Sequence, residues 1–150
     1  VLLHHSIERK GPFSKLVGDS EIELVQAFDR QPRKIYADRF WGELGFIQLC
    51  YDIQGMDSMR ELCRNTGYPF TVDTGEIFKN GSFDMGDAAG LFAYNEDPDG
   101  TLIEYVETHR LQIIKKLGIS LNLQKRNPEK SLPNWLLGAL QFMKAKDIKI

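Results

Sequence analysis

Apolar and polar positions along the chain follow two periods. In GFIQLCYDI, from Gly45 to Ile53, Phe46, Gln48 and Cys50 share one face of an extended segment, and Ile47, Leu49, Tyr51 and Ile53 share the other. TLIEYV, from Thr101 to Val106, alternates in the same way: Leu102, Glu104 and Val106 lie on one face, and Ile103, Tyr105 and Glu107 on the other. VLLHH, EIELVQAF, YPFTV and GLFAYNE are further strand segments, rich in β-branched and aromatic residues. The helical period appears in GMDSMRELCRNTGY, where Met59, Leu62 and Cys63 recur at i, i+3 and i+4. Ser58 and Glu61 there have capping-box spacing, and Gly67 stands where a C-terminal cap belongs. Ile113, Ile114 and Leu117 predict a short helix. A longer one is predicted from Pro133 to about Ala145, with Leu136, Leu140 and Met143 on its apolar side and Trp135 as a packing residue.

The punctuation between these segments is strong in one place. Asp97, Pro98, Asp99 and Gly100 combine a preset φ, a self-bonding side chain and a residue that tolerates positive φ, so a reversal is expected just before Thr101. DRQPRKIYADRFWGEL, broken by Pro32, reads as a connecting loop, and Asp73 to Gly86 as a Gly-rich polar hairpin region. From Gly45 to Glu107 the resulting order is β-α-β-β-β. The two strands before residue 30 look like the end of an earlier copy of that unit.

Three polar residues interrupt the strand pattern. Glu104 lies between Leu102 and Val106 on its face, and a carboxylate so placed needs a partner or a metal. Glu23 sits mid-strand with Glu21 beside it on the same face, and Gln48 is the polar residue inside the strongest strand. His4 and His5 are adjacent, so they point to opposite faces and cannot clip one metal together. His109 falls just past the closing strand and reads as a surface residue, whereas Cys50 shares the face of Gln48 and lines either a pocket or the core.

Composition narrows the classes. A chain of 150 residues with a formal charge of −2 reads as one domain able to bury a core without staples. Its 19 basic residues are scattered apart from a modest cluster between Lys115 and Lys130, which argues against a nucleic-acid surface. Two cysteines, Cys50 and Cys63, are too few for a disulfide framework and fit a reducing compartment. There is neither a membrane-length apolar run nor a signal-peptide layout, so a cytoplasmic protein with no membrane partner is expected. Because the sequence opens at Val1, inside a strand segment, a longer parent chain is also expected.

The β-α-β-β-β order closed by DPDGTLIEYVE resembles the vicinal oxygen chelate superfamily, which includes glyoxalase I, extradiol dioxygenases and bleomycin-resistance proteins. The resemblance implies an α+β fold in which paired βαβββ modules form a curved mixed-sheet cup, followed by a C-terminal helical extension. Residues 1–44 would be the end of a first module and a linker, 45–108 a complete second module, and 109–150 the extension. It also implies a divalent metal ion (Ni, Zn, Co, Mn, Mg or Fe) held by Glu23, Gln48 and Glu104, with Glu104 also the catalytic base. Gln48 stands where His is usual, and a fourth ligand would come from a strand before Val1. The implied activity is a metal-dependent lyase or isomerase acting on a small oxygenated substrate through an enediolate, with a homodimer as the possible assembly. The alternatives are a metal-free small-molecule binding protein of the bleomycin-resistance type and, third, an extradiol-type dioxygenase, for which the expected His ligands are missing.

Overall fold

A computed structural model of the chain describes residues 1–5, 7–31, 38, 40, 43–77, 83–86, 88–114 and 117–140. Its organising feature is the reversal at Asp97. The Asp97 side chain accepts the backbone N–H groups of Asp99 (2.9 Å) and Thr101 (2.8 Å), and Gly100 takes φ 86°. The turn joins β6 (Ala88–Glu96) to β7 (Leu102–Ile114) in a hairpin that pairs Glu96 with Leu102, Asn95 with Ile103 and Tyr94 with Glu104.

The architecture is α+β, with a mixed sheet of six strands among the described residues. β3 (Gln48–Asp52) lies parallel to β7, with Cys50 opposite Glu104 and Tyr51 opposite Tyr105. α1 (Met56–Asn65) makes the crossover, and β4 (Val72–Asp73), a single turn α2 (Thr74–Ile77) and β5 (Phe83–Asp84) follow. The order across the sheet is β3-β7-β6-β4, with β5 on β6 and β8 (Ile119–Asn122) on β7. β1 (Leu2–His4) and β2 (Glu21–Glu23) form a separate antiparallel pair.

α1 ends as its sequence predicts but begins differently. Gly67, at φ 87°, donates to Arg64 O (3.2 Å), and Tyr68 donates to Cys63 O (2.9 Å), the two bonds of a Schellman cap. At the other end Ser58 is no cap: the helix starts at Met56 after Gly55 in a left-handed conformation. The N–H of Met56 is accepted by Oε2 of Glu107 at 2.7 Å, so a carboxylate reaching over from β7 does the work expected of Ser58.

α1 covers one face of the sheet. Met56, Cys63 and Ala93 are buried there, and fully burying a side chain such as Met56 stabilises by about 1.5–3 kcal/mol. Buried Asn95 donates to Tyr68 O (3.1 Å), and Tyr105 packs on Tyr51 and Phe70. A second core joins the chain's two ends: Leu123, Leu132 and Leu136 are buried against Phe13, Ile113 and Leu121. The loop at Gly11–Pro12 is stitched to it by Gly11 N–H to Glu129 O and Leu132 N–H to Pro12 O.

The C-terminal region corrects two expectations. Ile113 and Ile114 end β7 rather than start a helix, because a turn at Gly118, φ 64°, lets Ile119–Asn122 fold back on them and pair Leu111 with Leu121. Residues after 108 are therefore partly strand. α3 spans Asn134–Leu140 with Leu136 buried, but Trp135 is 74% exposed and does not pack; Met143 and Ala145 lie outside the described residues. Among the described residues, no helix is long and apolar enough to cross a membrane.

Candidate functional site

The sheet face opposite α1 carries Glu104. The alternation of β7 puts it beside Leu102 and Val106, while register brings Tyr94 to it from β6 and Cys50 from β3. Tyr94 Oη donates to Oε1, and Gln48 Nε2 donates to Oε2 at 2.5 Å. Cys50 stands opposite Glu104 in the β3–β7 register. A carboxylate has about four acceptor positions, so the two donors leave room for others. The mid-strand carboxylate is thus explained by neutral donors from the two neighbouring strands.

Electrostatics keep Cys50 and Tyr94 protonated. Partial desolvation, then the adjacent Glu104, pushes the Cys50 thiol up to about 12, and burial with the hydrogen bond and charge of Glu104 pushes the Tyr94 phenol up to about 12. Cys50 is therefore held as a thiol at neutral pH rather than as a nucleophilic thiolate. Beyond Tyr94 the face is aromatic: Phe92 lies edge-on to Tyr94 (5.8 Å) and to Phe83 (4.9 Å).

Of the three residues expected to act together, the structure brings Gln48 and Glu104 into contact. Glu23 is exposed in the two-stranded sheet, opposite Leu2, while its neighbour Glu21 accepts from His4 Nδ1 at 3.1 Å. Among the described residues there is no group of three or more His, Cys, Asp or Glu side chains that could hold a metal ion. The donor set around Glu104 does not fit one as arranged, because Tyr94 and Gln48 each donate to one of the oxygens a cation would need. His109 is half-buried 3.6 Å from Glu107, on the α1 side of the sheet.

Two residues of this face were not singled out by sequence reasoning. Tyr94 could have been found by counting outward from Asp99, since the hairpin pairs positions equidistant from it. Asp52, which is opposite Val106 on the same face, carried no signal beyond its place at the end of β3. Its carboxyl is raised above the ordinary range by burial and by the charge of Glu107. No protein-family model, curated protein or solved structure matches the chain.

Proposed function

We propose that the Glu104 face is a metal-free binding surface for a small oxygenated ring compound. A ligand hydroxyl donates to an open acceptor position of Glu104, and its ring lies against Phe92 and Tyr94. The observation that carries this reading is the carboxylate held by Tyr94 and Gln48, both uncharged donors. The pair orients the carboxylate while leaving acceptor positions open. The order β3-β7-β6-β4 across the sheet, with α1 following β3, supports the resemblance to a βαβββ module, and the uncharged donors on Glu104 favour, within that resemblance, the bleomycin-resistance type of binding protein.

A second reading, the metal-dependent lyase or isomerase, is favoured by one atom. Oε1 of Gln48 is buried and has no hydrogen-bond partner among the described residues, and a cation would satisfy it.

The test is a titration with phenol and catechol followed by amide chemical shifts, alongside metal analysis of the protein dialysed against Ni²⁺, Zn²⁺ and Mn²⁺. Saturable shifts at Tyr94 and Glu104, weakened at least tenfold in Glu104→Gln, with no metal retained, are the expected result. Stoichiometric metal that Glu104→Gln removes would overturn the binding reading in favour of the enzyme.

A further inference from the structure

A cavity of about 360 Å³ opens where two strands meet end to end. β6 occupies one edge of β7, and on the other edge β3 pairs residues 102–106 and β8 pairs residues 110–114. The last bond on one side is Ile53 N–H to Val106 O (2.9 Å), and the first on the other is Leu123 N–H to His109 O (2.7 Å). The stretch between is walled by the loop at Pro12–Phe13 and by Pro128. The volume falls within the range of small-molecule sites, about 300–1,000 Å³.

The lining combines an apolar body with few polar groups. Phe13, Leu123 and Pro128 supply the first, and Asp52, Thr108 and Gln54 the second. Lys10 and Glu129 also line it, but Lys10 Nζ donates to Glu129 Oε1 at 3.0 Å, so their charges offset each other. Asp52 is then the uncompensated charge of the lining, and among the described residues its carboxyl makes no hydrogen bond. Asp52 is exposed, and its carboxylate beside these apolar walls offers a charge that a ligand ammonium can pair with.

We propose that this cavity binds a small organic amine, its ammonium held between Asp52 and the Thr108 hydroxyl and its apolar body against Phe13 and Leu123. Asp52 shares the sheet face of Glu104, but neither Glu104 nor its donors Tyr94 and Gln48 line the cavity.

Benzylamine is the probe, with benzyl alcohol as the uncharged control of nearly the same shape, titrated into the full chain and followed by amide chemical shifts. Benzylamine is expected to shift Gln54, Thr108 and Leu123 saturably, and benzyl alcohol at least tenfold more weakly. Asp52→Asn should weaken benzylamine at least tenfold. Gln54→Trp, which fills the cavity from an exposed position, should do the same without touching the carboxyl, while Glu104→Gln should leave binding unchanged. The proposal is overturned by equal binding of benzyl alcohol, by full binding in Asp52→Asn or Gln54→Trp, or by the absence of saturable shifts. Loss in Glu104→Gln with Asp52→Asn unaffected would assign the amine to the Glu104 face and overturn it equally.

Discussion

Tyr94 and Glu104 face each other across the β6–β7 hairpin, and the phenol donates to the carboxylate. Tyr94→Phe removes the hydroxyl and leaves the ring. A hydrogen bond to a charged group contributes about 1.5–3 kcal/mol, so the variant should lose about that much stability. Urea denaturation checks it: an unchanged midpoint would show that water replaces the phenol without cost.

Asp52 gives a pH signature of the less common sign. Its folded carboxyl titrates above the unfolded value because of burial and the nearby Glu107, so the folded state holds its proton more tightly. Its contribution to stability is fully present below the unfolded value and is lost as pH rises through the folded one. Asp52→Asn should therefore be more stable than the parent at neutral pH, with the difference closing on acidification. Thermal melts from pH 3 to pH 7 measure it, and a constant difference would contradict the assignment.

Asp73 has the opposite sign. Burial works against its ionisation, but the hydrogen bonds and charge of Arg60, with backbone N–H groups of Gly75 and Glu76, hold it below the ordinary carboxylate range. Its stabilisation is present above the unfolded value and is lost as pH falls through the folded one. The Arg60–Asp73 pair is largely buried, with Arg60 Nη2 also 3.2 Å from Asp73 Oδ1, so Arg60→Ala strands a buried charge and should cost about 3–5 kcal/mol. Denaturant midpoints at pH 7 and pH 3 should show the loss shrinking in acid.

Gly90 sits at the bulge where the β6–β7 register shifts, and a Cβ there would lie 2.1 Å from the carbonyl oxygen of Glu107. The clash is with backbone, so it cannot be relieved by a rotamer. Gly90→Ala should destabilise by more than about 3 kcal/mol, above the usual cost of overpacking. A Tm within a few degrees of the parent would show that the bulge relaxes.

The parts of this fold legible in the sequence are those set by local chemistry. The Asp97–Gly100 reversal, the alternation around Glu104 and the Gly67 cap each depend on residues a few positions apart, and each appears where its pattern predicts. The start of α1 did not, because Glu107 reaches it from a strand far along the chain. Ile113 and Ile114 went the same way: a short apolar run fits a helix or a strand, and pairing with β8 decides it. At the site, the polar interruptions of the pattern pointed to Gln48 and Glu104, whereas the placement of Tyr94 and Cys50 opposite Glu104 depends on register, which one strand read alone does not carry. Glu23 drew attention by the same interruption, and it lies exposed on the other sheet.

The partners of Glu104 also differ in when they can arrive during folding. Tyr94 is 10 positions away through a tight turn, and Gln48 is 56 positions away through a helical crossover. Closing the longer loop costs more chain entropy, and parallel pairing waits on it. The phenol–carboxylate bond therefore belongs to the early hairpin and the amide–carboxylate bond to the final docking of β3. In stopped-flow kinetics, Tyr94→Phe should act mainly by slowing refolding, and Gln48→Ala mainly by speeding unfolding. One side chain would then report both ends of the folding reaction.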